Sequence, residues 1–305
     1  MTVSDLRATE LRQRLGSTGL YFRTGAFTTC LITRLEQVES SFALLYADYP
    51  VVEGPYADFH VEVAPPRNLR RWIRPQVQFL SDGNSPFMEL PRDQAFPVFE
   101  WGVNWCVSNN VHHFLIVHAA VIERNGRVAI LPAPPGSGKS TLCAALIHRG
   151  WRLLSDELTL IRRSDSRVIP LPRPVSLKNA SIPLMKAYAP GAVFSPSVRD
   201  TVKGTVAHMK APADSVARAQ ETALPGWIIF PRYEAGVPLS LTAVPRTRAF
   251  MRTAENAFNY ARLGVDGFNA LAEVIRQSDC YDLRYSSLDE AIATFDRLAN
   301  QATQP

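Results

Sequence analysis

The first stretch whose residue types and spacing could do chemistry is APPGSGKST, residues 133–141. Gly138, Lys139 and Ser140 match the end of the Walker A pattern of phosphate-binding loops, and Ala133 replaces its first glycine. In such a loop the backbone N–H groups bind phosphate oxygens, the lysine reaches the terminal phosphates and the serine hydroxyl holds Mg²⁺. The residues expected to bind a nucleotide are Pro135, Gly136, Ser137, Gly138, Lys139, Ser140 and Thr141.

The segments around this loop predict the elements that must position it. The apolar run RVAIL precedes the loop, and GKSTLCAALIHRG follows it with helical periodicity and Gly150 as a stop. Strand, glycine loop and helix are the order that a phosphate-binding loop requires. Asn125-Gly126 separates RVAIL from an earlier apolar run and predicts a type I′ hairpin. The strand that enters the loop should therefore pair antiparallel with a strand that carries His118.

Two neighbouring acids, Asp156 and Glu157, follow the apolar run WRLLS, which comes directly after the predicted helix. We expect Arg152 to Ser155 to form a buried strand whose end brings both carboxylates near the phosphates. One carboxylate would hold Mg²⁺, and the other would accept a proton from an attacking hydroxyl. A turn or a helix cap is the structural alternative for this pair.

The spacing of these residues resembles that of the bacterial HPr kinase/phosphorylase family. In that family a histidine precedes the Walker lysine and an Ala-Asp-Asp triplet follows it; here His118 and Lys139 are 21 residues apart, and Lys139 and Asp156 are 17 apart. The resemblance implies that Asp156 is the general base, and the acid in the reverse direction. It also implies that Glu157 lies near Mg²⁺ and that His118 positions this site or balances its charge. From chemistry alone, a single histidine on an apolar strand is more often a core residue.

Further along the chain, the sequence departs from this family and resembles a related group. The family's Glu-x-Arg-Gly-Leu-Gly signature is absent, whereas RDTVKGTVAHM, IIFPRY and NAFNYARLGVDGF are similar to the group called HPr-kinase-related kinase A. Lys178, Lys203 and Arg232 are candidate contacts to phosphate or substrate, with ordinary surface side chains as the alternative, and His208 is a weaker candidate. The absent signature leaves open both the reverse phosphorylase reaction and recognition of HPr.

The resemblance implies an α/β fold: a P-loop kinase core of the HPr kinase and phosphoenolpyruvate-carboxykinase-like type, with a smaller mixed α/β N-terminal domain. Proline and glycine in SDGNSPFMELP indicate a boundary, so residues 1–90 form the expected N-terminal domain and residues 91–305 the catalytic one. Residues 246–305 are expected to be helical, with one helix ending at Gly264 and another beginning with a Ser287 and Glu290 capping box. These helices would pack on the core or on a neighbouring subunit of a homo-oligomer.

Composition limits the classes of partner. The net charge of +5 is spread over 305 residues, which is not typical of a nucleic-acid-binding protein, and the basic cluster RNLRRWIR is expected to be a solvated face. No apolar run is long enough to span a membrane, and the polar N-terminus lacks a signal-peptide centre, so a cytoplasmic protein without a membrane partner is expected. Four widely separated cysteines are typical of core thiols rather than of a zinc site.

These patterns predict a phosphotransferase, an ATP- and Mg²⁺-dependent kinase of the HPr-kinase-like serine kinase type. Its acceptor would be a hydroxyl on a small protein, a peptide or a small molecule. Two alternatives use the same residues: a nucleotide hydrolase or phosphorylase, and a regulatory sensor that binds ATP without transferring phosphate. The sequence does not distinguish ATP from GTP or pyrophosphate.

Overall fold

The computed structural model describes residues 1–301, which form a mixed α/β protein with three β-sheets. The α-helices are α1 Ala8–Gly16, α2 Glu36–Leu45, α3 Ala95–Asn110, α4 Lys139–Ile147, α5 Ser181–Tyr188, α6 Ala213–Ala217, α7 Arg246–Glu255, α8 Tyr260–Leu263, α9 Val265–Gln277 and α10 Leu288–Gln301. The strands are β1 Leu20–Thr24, β2 Phe27–Thr33, β3 Phe59–Ala64, β4 Gln76–Ser81, β5 Leu90–Pro91, β6 Phe114–Arg124, β7 Arg127–Pro132, β8 Arg152–Ser155, β9 Leu158–Arg162, β10 Val168–Ile169, β11 Val175–Lys178, β12 Val198–Thr201, β13 Gly204–Met209, β14 Leu224–Tyr233, β15 Ser240–Ala243 and β16 Asp279–Tyr285.

The first sheet is built from β1 to β5 in chain order. In β3 the side chains alternate, with Phe59, Val61 and Val63 buried, because successive residues of a strand point to opposite faces. Helices α2 and α3 cover the buried face, where Phe42 and Tyr46 stack at 4.7 Å. The alternation therefore determines which face of this sheet is buried, and α3 packs on β3 and β4.

The central sheet has eight strands, with β7, β14 and β16 parallel at its middle and the other pairs antiparallel. Asn125 and Gly126 have φ of 56° and 76°, as a type I′ turn requires, so the predicted hairpin of β6 and β7 is confirmed. Apolar side chains pack on both faces of this sheet. All four cysteines are buried, and Cys106, Cys143 and Cys280 lie in the hydrophobic cores as predicted, whereas Cys30 of β2 lies outside them.

The C-terminal prediction was wrong in two places. Residues 279–285 form β16, which lies between β14 and β15 in the central sheet, because pairing with two neighbours outweighs a sequence that lacks β-branched residues. The single helix expected to end at Gly264 is interrupted between α7 and α8. Its break is stabilised by Asn259, whose side chain accepts from the Ile116 N–H and donates to the Phe114 carbonyl of β6.

The predicted division near residue 90 stays a prediction. The chain passes from β5 to α3 near that point, yet α3 packs on β3 and β4, and one hydrophobic core continues from the first sheet into the central one. A smaller third sheet, ordered β11-β13-β12, flanks the central sheet. Within residues 1–301, every helix is too short or too polar to cross a membrane.

Candidate functional site

The glycine loop, residues 133–138, connects the end of β7 to the start of α4. Gly136 and Gly138 have φ of 86° and 88°, a region that side chains with a Cβ rarely adopt. A Cβ on Gly138 would lie 2.7 Å from the Tyr285 hydroxyl and 2.9 Å from the Tyr233 Cβ. Ala133 is buried and does not have a positive φ, which explains why alanine is tolerated where the Walker pattern has glycine.

Two parallel strands hold this loop against the sheet. The Tyr233 N–H at the end of β14 donates to the Ser137 carbonyl at 2.9 Å, and the Tyr285 hydroxyl at the end of β16 donates to the Gly138 carbonyl at 3.3 Å. No side chain caps the start of α4, so the first N–H groups of this helix have no intrahelical acceptor. Together with the helix dipole they give the loop a positive potential that favours an anion.

Lys139, the first residue of α4, is 8% exposed and lies against His118 of β6. The Lys139 Nζ is 3.4 Å from the His118 Nε2. Burial first, and then the Lys139 charge, lower the pKa of His118 to about 4, so this imidazole is neutral at pH 7 and can accept a hydrogen bond from the ammonium. The half-exposed Phe258 covers the same ring at 5.7 Å between centroids.

The two acids lie in a break between β8 and β9, which both pair with the long strand β6. Val121 is opposite Ser155, and His118 is opposite Leu158. This register brings His118 beside Glu157, although the two are far apart in sequence. The predicted strand over residues 152–155 is confirmed as β8. A second strand, β9, begins directly after Glu157, so the two acids are held by a strand on each side.

Asp156 is 5% exposed, and only one of its two carboxylate oxygens is hydrogen-bonded. Its Oδ2 accepts from the Ser176 N–H at 3.1 Å, whereas its Oδ1 is buried and accepts no hydrogen bond. Burial raises the pKa of Asp156 to about 6; the Lys139 charge opposes this rise and the Glu157 charge adds to it. A carboxyl with this pKa and one unpaired oxygen can take up and release a proton near neutral pH.

Glu157 has the opposite electrostatic environment. Burial acts to raise its pKa, but Lys203, Lys139 and Lys178 together outweigh burial and hold the pKa below its ordinary value. Its Oε2 accepts from the Asn104 side-chain amide of α3. Glu157 is therefore an ionised carboxylate at the centre of a lysine cluster, and the environment separates the two adjacent acids in pKa.

The third sheet brings two of the predicted lysines to this cluster. Lys178 ends β11, and Lys203 lies in the turn between β12 and β13 with its Nζ 4.8 Å from the centroid of the Trp101 ring. Burial lowers the pKa of Lys203 in spite of the opposing Glu157 charge. Arg232 is not brought to the acids: its side chain is 72% exposed and its Nε lies 3.7 Å from Glu234.

A cavity of about 20 Å³ lies behind the acids and is lined by residues of α3, β8, β11 and β13. His208, opposite Ser176 in the third sheet, is 1% exposed, and neither of its ring nitrogens is hydrogen-bonded. Burial lowers the pKa of His208 to about 3, so the ring is neutral. The Ser176 Oγ and Trp101 Nε1 are likewise buried without partners. The space and its polar lining suit one small polar group beside the Asp156 Oδ1.

A buried hydrogen-bond network supports Glu157 from the N-terminal side. The Arg173 Nη1 donates to the Asn104 Oδ1 at 2.6 Å, and its Nη2 pairs with Glu100. The hydroxyl of Tyr46, the residue after α2, donates to the other Glu100 oxygen at 2.7 Å. The Arg173 and Glu100 side chains are both nearly inaccessible to solvent. Their ion pair is therefore buried, and it holds the Asn104 side chain in place.

The donors that the structure brings together fit Mg²⁺ held jointly with a substrate phosphate. Within residues 1–301, no group of three or more His, Cys, Asp or Glu side chains could hold a metal ion without further ligands. Magnesium commonly uses one or two carboxylates and completes its shell with phosphate and water. Ser140 at the start of α4 and the ionised Glu157 supply such a partial set.

Several residues of this site carried no usable sequence signal. Arg173 lies in an irregular, proline-rich stretch and Ser176 in the short strand β11 that follows it, and their contacts arise only when the third sheet folds against β8. Trp101 and Asn104 are three residues apart in α3, a spacing that puts them on one helical face but is typical of core packing as well. Of the weaker candidates, His208 does lie beside Asp156, as a lining residue of the cavity.

Comparisons with known proteins add little. No protein-family model matches the chain, and no curated protein matches it. A solved structure, the HPr(Ser) kinase/phosphatase from Coxiella burnetii, is similar over 61% of this chain and 98% of its own, with 12% sequence identity and a TM-score of 0.28. A similarity this low carries no argument about fold or activity.

Proposed function

We propose that this protein is a kinase that transfers the γ-phosphoryl group of ATP to an acceptor hydroxyl. The observation that carries the proposal is Asp156: a buried carboxyl with a pKa raised to about 6 and an unpaired oxygen, close to Lys139 at the start of α4. A regulatory sensor has no need for a proton acceptor of this kind beside its phosphate site.

The glycine loop would bind the nucleotide phosphates. Its N–H groups and the unpaired N–H groups of Lys139, Ser140 and Thr141 supply donors, and the Lys139 ammonium neutralises negative charge on the terminal phosphates. Tyr233 and Tyr285 hold the loop through the Ser137 and Gly138 carbonyls, so these contacts do not use the loop's N–H groups. The remaining nucleotide contacts proposed from the loop are Pro135, Gly136, Ser137 and Gly138.

Ser140 and Glu157 would hold Mg²⁺ together with the phosphates. When bound, the ion supplies positive charge that stabilises the charge developing on the transferred group. The low pKa of Glu157 supports this role because a metal ligand must be deprotonated at working pH. Lys178 and Lys203 face the same carboxylate and would balance the negative charge of the phosphates, and Arg232 would contact substrate only from the rim.

In the proposed step, the acceptor hydroxyl gives its proton to the Asp156 Oδ1 while its oxygen forms a bond to the γ-phosphorus. The bond between that phosphorus and the β–γ bridging oxygen breaks, and its electron pair leaves with ADP. His118 is neutral and accepts from Lys139, so it orients the ammonium without adding charge. Asp156 then returns the proton to solvent near neutral pH.

The test uses γ-labelled ATP and Mg²⁺ with a cell extract that is split into macromolecular and small-molecule fractions. We expect the wild type and the exposed control Asp279→Asn to label one fraction, and Asp156→Asn to lose at least about a hundredfold in rate, as is usual for removal of a general base. The labelled fraction distinguishes a polypeptide acceptor from a metabolite.

Two results would contradict the proposal. Release of the label as phosphate alone, with equal rates for any added extract, would indicate a hydrolase. Tight ATP binding by the wild type and by Asp156→Asn, with no turnover by either, would indicate a nucleotide sensor. Loss of ATP binding in Asp156→Asn would show that the variant is misfolded or that Asp156 holds the nucleotide instead.

A further inference from the structure

The basic cluster noted in the sequence forms an exposed loop, residues 67–74, here called the arginine loop. It contains a single 3-10 turn, and three large apolar side chains in it face solvent: Leu69 is 70% exposed, Trp72 69% and Ile73 67%. Exposed apolar residues that occur singly are ordinary, but three within five residues form a patch that is typical of a binding surface.

Most arginines of this loop lack an acidic partner within the described chain. Arg70 lies 3.5 Å from Glu89, whereas the guanidinium groups of Arg67, Arg71 and Arg74 form no ion pair with any residue from 1 to 301. The Arg71 guanidinium lies 5.0 Å from the centroid of the Trp72 ring, so charge and aromatic surface are presented together. Guanidinium groups bind carboxylates through two parallel hydrogen bonds, which favours an acidic partner.

The arginine loop is linked to α3 through the segment that precedes this helix. Asn68 donates to Glu89 at 2.9 Å, and Phe87, two residues before Glu89, packs its ring on Trp105 of α3 at 6.0 Å. Asn104, the neighbour of Trp105, contacts Glu157. The same helix therefore contacts both the segment that holds the arginine loop and one of the acids.

We propose that the arginine loop docks an acidic polypeptide segment whose apolar side chain covers Trp72 and Ile73. The proposal rests on the kinase function only in that this segment would belong to the phosphoryl acceptor. A polypeptide is favoured over a nucleic acid because residues 95–110 contain no Lys or Arg to neutralise a phosphate backbone between the loop and the acids. It is favoured over a flat membrane surface because Asp156 is buried and Glu157 is half-buried, so an extended chain can reach them where a flat surface cannot.

The experiment measures fluorescence anisotropy of a synthetic peptide made of glutamate, leucine and serine, titrated with the full-length protein without nucleotide. A lysine, leucine and serine peptide, poly(U) RNA and phosphatidylserine vesicles are titrated in parallel. The variants are Arg67→Glu/Arg71→Glu and Trp72→Ala, and the matched control is Arg248→Glu, an exposed arginine of α7 that forms no ion pair within the described part of the chain.

We expect the acidic peptide to bind the wild type and Arg248→Glu within about twofold of each other, and the double variant about tenfold more weakly, with weaker binding at higher salt. Trp72→Ala should weaken binding even at high salt, because its contribution is apolar. Tighter binding of the RNA, the vesicles or the lysine peptide, no binding of the acidic peptide by the wild type, or equal binding by all variants would overturn the docking proposal.

The nucleotide result separates this proposal from the kinase. Lys139→Ala should lose ATP binding and keep peptide binding, because the arginine loop lies between β3 and β4 of the first sheet, whereas Lys139 begins α4 beside the central sheet. If ATP binds and turns over while the peptide does not bind, the docking surface fails and the kinase stands. If the peptide binds while no ATP binds, the kinase proposal fails and the docking surface stands.

Discussion

Asp156 and Glu157 are adjacent in sequence, but the pKa of one is raised and that of the other is lowered. The side chains around each carboxyl cause this difference. Burial acts to raise the pKa of both, but the pKa of Glu157 is lowered in the end. Glu157 faces several lysines whose combined charge exceeds the burial effect, whereas Asp156 faces chiefly Lys139 and keeps one oxygen unpaired. Neighbouring carboxyl groups thus have pKa values shifted in opposite directions, the separation that acid–base sites require.

The pKa of Asp156 sets the expected pH dependence of transfer. A base works only when ionised, and burial has raised this pKa to about 6, so the rate should fall as the pH drops through 6 rather than through 4. Between pH 7 and pH 5 we expect about a tenfold fall in the initial rate at saturating ATP. ATP binding, measured over the same range, is the control. A rate that is constant down to pH 5 would rule out Asp156 as the base.

At the scale of elements, the glycine loop depends on two strands that are remote in sequence. The turn into α4 is held by β14 and β16 through carbonyls, and their tyrosines leave no room for a side chain at Gly138. The loop is thus a rigid cradle whose shape is set by the parallel strands at the centre of the sheet. Because β16 was not expected from the sequence, neither was this constraint.

Gly138→Ala tests this constraint against a matched control. Gly138 and Gly150 have φ of 88° and 89°, but only Gly138 has neighbours within 4 Å of an added Cβ. The backbone conformation should cost about 1–2 kcal/mol of unfolding free energy in either alanine variant. Gly138→Ala should in addition lose at least about tenfold in ATP affinity, measured by calorimetry, because the loop must shift. Equal ATP affinity in the two variants would contradict a closely packed loop.

At the scale of the whole molecule, the site depends on residues from both sides of the proposed boundary near residue 90. Tyr46 at the end of α2 contacts Glu100, and Glu100 pairs with Arg173. Arg173 in turn holds Asn104 against Glu157. The first sheet therefore contributes to the orientation of a candidate metal ligand, although it supplies none of the reacting groups. The two proposed domains share this network and one core.

Removal of one charge from this network should be costly. Glu100→Ala leaves the Arg173 guanidinium buried without its partner, for which we expect a loss of about 3–5 kcal/mol in unfolding free energy by urea denaturation. The control is Glu10→Ala, which breaks an exposed i,i+4 pair with Arg14 and should cost about 0.5 kcal/mol or less. Similar losses in both variants would mean that the buried pair does not hold the two parts of the chain together.

The sequence alone determined the local features of this protein. The hairpin at Asn125-Gly126, the strand–loop–helix around Lys139 and the strand before Asp156 follow from turn chemistry, apolar periodicity and glycine positions, which act over a few residues. For the same reason the residue types and their spacing were sufficient to identify the glycine loop and the two acids as candidates.

Only the tertiary structure decided which distant groups meet at the site. The register of β6 against β9 brings His118 to Glu157, the fold of the third sheet brings Ser176 to Asp156, and Asn104 reaches Glu157 from α3. Long-range strand pairing and burial also gave β16 its place and left Arg232 at the surface. Such contacts depend on packing between segments that are far apart in the chain, so a local sequence pattern does not predict them.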